Sequence, residues 1–354
     1  MVTRRVFLSD ALVALAAAGC SSSDRAGSDE RRGPAAEGAA ASGARLKLTA
    51  NHVPNLCQVG SRVARERGFF AAEGLDVDLL PVDLGPGHEH SNSWVAGPNG
   101  RVQADIMNIE YPGLVDLALG KLDYRVVVGE HSGCKQLIVP SESSIRTLAD
   151  VKGKRIGLPS SGQDRLMWEY LARQAGVTAD SLHWVSEAVP LGGAEELEFV
   201  KREFAAGRLD VYAASDPAGE ILVSDGVARR LVSNTWTPPV NGWYCCMIAV
   251  RREVLDAHPE VGGALVRAYR QSAAFIERNP AEAVKLSVDA GYMPRDTRRE
   301  LCARLLGEYV WAATSRIEED LERYFQLLIE AGRLPASTSP REFVKRVYRK
   351  PQEV

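Results

Sequence analysis

The stretch Arg67–Val82, RGFFAAEGLDVDLLPV, sets the pattern of the whole chain. It lies where a helical pattern gives way to a strand pattern. Residues 57–72 carry apolar side chains at helical spacing, and residues 76–82 form a short apolar-rich run typical of a strand. A strand over residues 46–50 precedes the helix. This order predicts a strand–helix–strand unit, the building block of α/β folds.

The same alternation continues outward from this unit. Before residue 252 we predict further strands and helices in turn, and after it a mostly helical part. The predicted strands are 104–109, 124–129, 136–139, 155–158 and 243–250, with a second strand–helix block over 182–232. The predicted helices are 112–120, 160–174, 252–257, 259–278, 280–290, 296–311, 316–332 and 340–348. The pattern predicts an α/β fold with largely parallel sheets.

Composition excludes several classes of protein. The chain has 354 residues, of which 45% are hydrophobic and 25% charged, as in ordinary globular proteins. Its formal net charge is −3, so no basic excess indicates a nucleic-acid partner. Sequence signatures of the GxSxG, GxxxxGK[ST], GxGxxG and HExxH types are missing, so the sequence indicates no catalytic machinery of those kinds.

The N-terminal residues resemble an export and anchoring signal. A twin-arginine pattern, TRRVFL at residues 3–8, precedes a short apolar run and the lipobox-like sequence AAGC at residues 17–20. We expect Cys20 to carry the lipid. Residues 21–44 are small and polar, which predicts a disordered tether. An ordinary secretory signal with an incidental cysteine is the other interpretation of residues 1–20.

Four segments in order resemble one bacterial family. They are RGFFAAEGLDV at 67–77, IRTLADVKGKRIG at 145–157, GRLDVYA at 207–213, and HPE at 258–260 followed by NPAEA at 279–283. Together they are similar to the substrate-binding proteins of ABC importers of the nitrate, sulfonate and taurine type, a group that includes binders of thiamin precursors. The resemblance covers roughly residues 46–295.

This resemblance implies a two-lobed periplasmic-binding-protein-like fold of type II, with two hinge crossings and a helical C-terminal part. We expect residues 45–139 and 244–354 in lobe 1 and residues 140–243 in lobe 2, with crossings near Val139 and Gly242–Cys245. The implied partners are a small-molecule ligand, an ABC permease and its ATPase subunit. The implied location is the periplasm or the outer face of the cytoplasmic membrane, where the protein would be a lipid-anchored monomer without enzymatic activity.

Ligands of open α/β sheets lie beyond the carboxyl ends of the strands, and that rule selects the candidate site residues. The predicted ligand-binding residues are His52, Asn108, Glu110, His131, Gly133, Cys134, Ser160, Ser161, Gly162, Gln163, Asp216 and Trp243. Residues 160–163 open a helix and offer backbone N–H groups, but Ser160 or Ser161 can equally serve as a helix cap. Asp216 can cap a helix as well, and Trp243 can pack in the hinge instead of stacking on a ligand.

Histidines and cysteines at short spacings leave a metal site open. The candidates are His88, His90, His131 and Cys134, with His52 and Cys57 close to the first strand end. Surface histidines and small buried cysteines are the other interpretation, so we expect no cofactor. The neighbouring Cys245 and Cys246 are expected on opposite faces of a strand, where they cannot pair.

Two alternative functions remain. Cys245-Cys246 resembles the cysteine-rich hinge of fungal thiamin-pyrimidine synthases, although only two cysteines are present here. An exported metal-dependent enzyme or metal carrier on the same scaffold is therefore one alternative. A ligand-sensing partner of a membrane receptor is the other. The cleft loops contain acidic residues and histidines without an arginine clamp, which favours a small polar or heterocyclic ligand over a bare sulfonate.

Overall fold

The computed structural model describes residues 44–83, 93–159, 165–186, 193–311 and 316–352, all within one compact unit. The strands are β1 Leu46–His52, β2 Leu75–Pro81, β3 Trp94–Gly97, β4 Gly100–Gln103, β5 Ile106–Glu110, β6 Tyr124–Ser132, β7 Lys135–Pro140, β8 Arg155–Leu158, β9 His183–Ser186, β10 Val211–Ser215, β11 Ala228–Ser233, β12 Tyr244–Arg251 and β13 Val310–Trp311. The helices are α1 Val59–Glu66, α2 Phe69–Ala72, α3 Tyr111–Ala118, α4 Arg165–Gln174, α5 Gly193–Ala205, α6 Ala218–Ser224, α7 Arg252–Ala257, α8 Val261–Arg278, α9 Pro280–Asp289, α10 Arg299–Glu308, α11 Ile317–Glu330 and α12 Pro340–Val347.

Two mixed sheets form the two lobes. The first lobe is built on a six-stranded sheet of order β13-β6-β12-β5-β1-β2, and the second on a five-stranded sheet of order β11-β7-β10-β8-β9. The two-lobed α/β fold predicted from the sequence is therefore present. Among the strands that the structure describes, parallel pairing joins β2-β1-β5 and β10-β8-β9. The sheets are less parallel than we expected, because β7 and β12, which follow the crossings, run antiparallel to their neighbours.

The first crossing lies earlier than predicted. Strand β6 ends at Ser132 in the first sheet, and β7 begins at Lys135 in the second, so Gly133 and Cys134 make the crossing instead of Val139. Both residues have left-handed backbone angles, with φ values of 102° and 77°. The second crossing leads from β11 to β12, which begins at Tyr244, inside the predicted Gly242–Cys245 region. Apart from this shift of the first crossing, the lobe bounds that we gave stay a prediction.

Local sequence explains several helices. Helix α8 buries Val261, Leu265, Ala268, Ser272 and Ile276, a spacing of three to four residues that turns one face of the helix to the core. Helix α12 begins with a capping box, in which the side chains of Ser339 and Glu342 each accept a hydrogen bond from the other's backbone N–H. Pro340, the first residue of the helix, lies between them. Within the described residues, no helix has both the length and the apolar character that crossing a membrane requires.

A hairpin that we did not predict joins β3 to β4, with Gly97 paired to Gly100 across the turn. The main core runs without a break from the first lobe to the second. It includes Ile109 and Leu114 of the first lobe and Leu158 and Trp168 of the second, all nearly inaccessible to solvent. The lobes therefore share apolar packing beside the hinge, and the polar residues lie at the facing strand ends.

Candidate functional site

The polar site lies at one edge of the first-lobe sheet. Strands β1 and β5 are parallel, and β12 runs antiparallel to both β5 and β6. The carboxyl ends of β1, β5 and β6 therefore meet at the same edge, next to the beginning of β12. This is the edge of an open sheet at which α/β proteins bind ligands.

A hydrogen-bonded network connects these strand ends. The backbone N–H of Asn108 donates to Oδ1 of Asn51 at 2.6 Å, and Nδ2 of Asn51 donates to the carbonyl of Asn108 at 3.3 Å. Nδ2 of Asn108 then donates to Oε2 of Glu130. Burial raises the pKa of Glu130 to about 8, although the charges of His131 and Arg62 act to lower it. Glu130 is therefore a mainly neutral carboxylic acid at pH 7.

Arg62 brings a buried guanidinium to this edge, which our sequence analysis did not foresee. Its Nη2 donates to the carbonyl of Val53 at 2.5 Å, while Nε and Nη1 make no hydrogen bond within the described residues. Burial lowers the pKa of Arg62 to about 10, against the opposing effect of Glu130, so the group stays charged at pH 7. Gly60 on the same helix lets α1 approach, because a Cβ there would collide with Oε1 of Glu130.

His52 ends β1 beside this arginine. Burial and then the charge of Arg62 lower the pKa of His52 to about 4, so its imidazole is neutral at pH 7. Its ring lies 5.1 Å from the ring of Tyr292, and its buried Nε2 makes no hydrogen bond within the part of the chain that the structure describes. A neutral imidazole can donate or accept, according to its tautomer.

Four thiols and one imidazole meet at the hinge, and we call them the hinge thiol cluster: Cys57, His131, Cys134, Cys245 and Cys246. The Sγ atom of Cys134 lies 3.4 Å from that of Cys57 and 3.1 Å from that of Cys245. All five side chains are buried, and the cysteines are free thiols. Of our metal candidates, the structure brings His131 and Cys134 into this cluster.

Cys245 and Cys246 do not point apart as we expected. Their Sγ atoms are 3.9 Å from each other. The register of β12 against β6 shifts on both sides of Cys246, and such irregularities break the strict alternation of faces along a strand. Both thiols therefore reach the same cluster.

Contacts and charges within the cluster favour the ionised forms of Cys57, Cys245 and His131. Contacts with Cys134 and then Cys246 hold the pKa of Cys57 well below its usual value. Burial alone would lower the pKa of His131, but the contact with Cys57 and the nearby charges of Cys57 and Cys245 raise it to about 9. The contact between Cys57 and His131 thus lowers the pKa of the thiol and raises that of the imidazole.

Asp216 of the second lobe faces the first lobe. Its carboxylate accepts a hydrogen bond from the Tyr309 phenol at 2.9 Å and another from Nε2 of Gln136 at 2.8 Å. Burial raises its pKa to about 7, while these two donors act to lower it. Asp216 makes no side-chain cap for α6, so the capping alternative does not hold. The Tyr309 ring stacks on His131 at 5.1 Å and 14°.

Glu110 also bridges the lobes. Its Oε2 lies 3.0 Å from Nζ of Lys135, the first residue of β7, and the same ammonium donates to Oγ of Ser215 at 2.9 Å. Trp243 is buried, with its ring 5.6 Å from that of Tyr170 and 5.7 Å from the guanidinium of Arg323. These contacts are those of a hinge packing residue, and its role in stacking on a ligand stays a prediction.

Several predicted residues lie outside the described residues. They are Cys20 with the rest of the signal and most of the tether, His88, His90, and Ser160, Ser161, Gly162 and Gln163. Sequence reasoning also missed Arg62, Lys135 and Tyr309. Arg62 and Lys135 had only weak signals, a charge among apolar helix positions and a lysine that opens an apolar strand. Tyr309 had none, because it meets Asp216 across 93 residues of chain.

Comparison with known proteins agrees with this architecture. Residues 125–283 match the family described as NMT1/THI5 like. No curated protein matches the sequence. Among solved structures, the alkanesulfonate-binding protein SsuA from Xanthomonas axonopodis pv. citri, bound to MOPS, superposes with a TM-score of 0.64 at 18% identity, covering 87% of this chain and 99% of that one.

Two further structures show how widely the fold is used. The periplasmic nitrate-binding protein NrtA from Synechocystis PCC 6803 has a TM-score of 0.64 at 14% identity, covering 86% of each chain. The desulfurization enzyme DSZB has a TM-score of 0.58 at 18% identity, covering 85% of this chain and 98% of its own. The resemblance predicted from the sequence is thereby confirmed: the chain has an NMT1/THI5-like segment on the two-lobed α/β fold of the periplasmic binding proteins.

Proposed function

We propose that the protein is the substrate-binding component of an ABC importer. It captures a small polar or heterocyclic solute between its lobes and delivers it to a membrane permease that works with an ATPase subunit. The fold supports this role, because its neighbours include proteins that bind sulfonates and nitrate. Binding proteins of this architecture act by closing two lobes around a ligand.

One observation carries the proposal. Three side chains at the ligand edge of the first lobe hold buried polar atoms without hydrogen bonds among the described residues: Nε and Nη1 of Arg62, Oε1 of Glu130 and Nε2 of His52. Leaving such a group unsatisfied costs about 1–3 kcal/mol, and more for a charged one. A bound solute that satisfies all three would recover this free energy.

The same three side chains indicate which hydrogen-bonding groups the solute should have. Arg62 donates with a positive charge and needs an acceptor, whereas the neutral Glu130 and the neutral His52 can each donate or accept. An oxyanion can accept hydrogen bonds from all three when the protons of Glu130 and His52 lie on Oε1 and Nε2. A solute with an acidic or carbonyl group at one end and ring nitrogens or hydroxyls at the other complements all three.

The test is a ligand screen with the purified full-length chain. Native and denatured masses of the same sample reveal any co-purified solute, and thermal shift with a panel of carboxylates, sulfonates, nitrate and heterocycles finds others. We expect Arg62→Gln to weaken binding of the best ligand by about 10–100-fold, the equivalent of one lost charge-assisted hydrogen bond. Arg65→Gln, on the same helix but paired with Asp78, serves as the control.

A panel in which nothing binds, or an Arg62→Gln variant that binds as tightly as the wild type, would contradict this assignment of the site. Delivery is tested separately in cells. Uptake of the identified solute should require both this gene and a permease gene.

We also propose that the protein is exported, lipid-anchored through Cys20 and monomeric. The N-terminal sequence supports the first two points. Metabolic labelling with a radioactive fatty acid should mark the wild type and not Cys20→Ala. Replacing Arg4 and Arg5 by lysine should hold the precursor in the cytoplasm if export uses the twin-arginine route.

An exported enzyme on the same scaffold is the second candidate. The structural likeness to DSZB and the hinge thiol cluster favour it over a receptor partner that only senses a ligand. The identified solute, incubated with the protein and analysed by mass spectrometry, separates the enzyme from the binding protein. Recovery of unchanged solute supports a binding protein, and a product that forms in proportion to the protein supports the enzyme.

A further inference from the structure

Three buried side chains of the hinge thiol cluster converge on one point. Ligand atoms of Cys57, His131 and Cys246 all lie within 4.8 Å of one another. They come from different parts of the first lobe: the 3-10 turn after β1, the end of β6 and the beginning of β12. Cys57 and His131 thus lie outside the Cys245-Cys246 pair that the sequence analysis singled out.

We propose that Cys57, His131 and Cys246 bind one thiophilic d10 cation, Zn²⁺ or Cu⁺. Sulfur and imidazole ligands are those that both ions prefer in proteins. The proposal goes beyond solute binding, because it concerns a second occupant of the hinge and holds for either function of the protein.

The spacing fits such an ion after a small adjustment. Around a tetrahedral zinc with Zn–S of about 2.3 Å and Zn–N of about 2.0–2.1 Å, neighbouring ligand atoms are about 3.5–3.8 Å apart. The three atoms here need to draw together by only about 1 Å, which small side-chain rotations provide. Cys134 can complete the set, since its Sγ is 3.4 Å from that of Cys57.

The histidine carries a second and independent indication. Its Nε2 is buried and makes no hydrogen bond of ordinary geometry within the described residues. Its Nδ1 lies 3.4 Å from the carbonyl oxygen of Ser132, and the ring is stacked on Tyr309. Metal-binding histidines usually donate their other ring N–H to a carbonyl or carboxylate, which fixes the ring and directs the remaining nitrogen to the ion.

Ordinary packing does not account for this grouping. A lone buried cysteine behaves as a small apolar residue, and Cys302 on α10 is an example in the same protein. Four thiols and an imidazole around one point differ from such a lone cysteine, because they place several polar lone pairs together in a buried region. Such a group is stable when an ion binds it or when thiols pair as disulfides.

The experiment uses the full-length chain, purified under a reducing agent without chelators. Elemental analysis by mass spectrometry should find about one zinc or copper per chain. The metal-free protein is then titrated with Zn²⁺ against a chromophoric chelator and with Cu⁺ against bathocuproine disulfonate. The metal found in the freshly purified protein identifies the occupant, and one-to-one binding in the titration confirms a single site.

The variants make the test specific. Cys57→Ser combined with Cys246→Ser should lose the ion or weaken its binding by at least about a hundredfold, since even the loss of an outer-shell partner costs about 10–100-fold. Cys302→Ser removes an equally buried thiol and should bind as the wild type does. If the double variant does not fold, His131→Gln provides the second measurement and should weaken the ion similarly.

Cobalt provides a readout independent of activity. Co²⁺ bound at this site should produce thiolate-to-cobalt charge-transfer absorption in the wild type and Cys302→Ser, and not in the double variant. Wild-type protein that takes up neither Zn²⁺ nor Cu⁺ overturns the proposal, and so does equal binding by the double variant. Disulfides within the cluster of freshly purified protein, together with no metal after reduction, overturn it as well. None of these results affects the solute screen, so the two proposals fail separately.

Discussion

The phenol of Tyr309 donates a 2.9 Å hydrogen bond to the carboxylate of Asp216, and this bond joins the two lobes. Tyr309 directly precedes β13 in the first-lobe sheet, and Asp216 directly follows β10 in the second. The same tyrosine ring stacks on His131 of the hinge thiol cluster. One side chain therefore contacts both the second lobe and the hinge thiol cluster.

Removing the Tyr309 hydroxyl should loosen the contact between the lobes. Tyr309→Phe keeps the ring on His131 and deletes only the bond to Asp216, so we expect a loss of about 1 kcal/mol in the free energy of unfolding. Urea denaturation measures it. In a double-mutant cycle with Asp216→Asn, the two substitutions should be non-additive by a similar amount.

The control for this cycle is Tyr170→Phe, whose ring contacts Trp243 while no hydrogen bond of its hydroxyl is found among the described residues. Its effect should be small and additive with Asp216→Asn. Full additivity of Tyr309→Phe and Asp216→Asn would show that the bond contributes nothing to stability.

The buried ion pair between the lobes should be costly to break. The side chains of Lys135 and Glu110 are 4% and 11% exposed, and their charged atoms are 3.0 Å apart. Lys135→Met takes the positive charge away from the Glu110 carboxylate, which typically costs about 3–5 kcal/mol at a buried pair. Adding Glu110→Gln should recover much of that loss, as urea denaturation of the double variant will measure.

An exposed pair of similar geometry provides the control. Lys285 lies 2.8 Å from Asp289 on α9, and both side chains are about half exposed. Lys285→Met should change stability by less than about 1 kcal/mol, because solvent screens such pairs. If Lys135→Met is as mild as Lys285→Met, the pair between the lobes is not a structural requirement.

Glu130 should make the protein less stable as pH rises. The pKa of its carboxyl is about 8 in the folded state against an ordinary 4.5, so between these values the folded state keeps a proton that the unfolded state has lost. Stability is therefore greatest below pH 4.5 for this group and falls through pH 8, by at most about 1.4 kcal/mol per pH unit. Glu130→Gln should flatten this fall.

Urea denaturation of wild type and Glu130→Gln between pH 5 and pH 8.5 tests the sign. The free energy of unfolding of the variant should increase steadily relative to that of the wild type as pH rises. Glu203→Gln is the control, because Arg208 holds the pKa of that carboxyl at about 2, so its difference from wild type should stay constant in this range. Parallel pH curves for wild type and Glu130→Gln would show that Glu130 is ionised in the folded protein.

Local pattern was sufficient for most of the elements. Strand β8 and helix α7 have the bounds that we predicted, since strand length and helical periodicity are local properties. The hairpin of β3 and β4 was missed because both of its strands are partly exposed and neither has the buried apolar run that marks β8. The position of the first crossing could not be read either, because β6 and β7 are both apolar runs and only their pairing shows which sheet each one joins.

The candidate site was predictable in part. The strand-end rule selected Asn108, Glu110, His131 and Asp216, which the structure brings to the facing edges of the two lobes. Grouping of the thiols was not predictable, since Cys134 lies 77 residues from Cys57 and 111 from Cys245. Their meeting also depends on the register shift of β12, a feature without a sequence signature.

Gly133 at the first crossing should resist substitution more strongly than an open glycine. Its φ is +102°, and an added Cβ would lie 3.1 Å from Oγ1 of Thr235 and 3.1 Å from Cδ1 of Tyr309. Gly133→Ala therefore combines backbone strain with pressure on the tyrosine that joins the lobes, and we expect a loss of about 2–3 kcal/mol in urea denaturation. Gly226→Ala is the matched control, because its φ is +71° and no atom lies within 4 Å of its added Cβ, so only the backbone cost of about 1 kcal/mol should remain. Equal losses in the two variants would mean that the Tyr309 side chain moves aside at no cost. Substitution at the first crossing would then not disturb the tyrosine that joins the lobes.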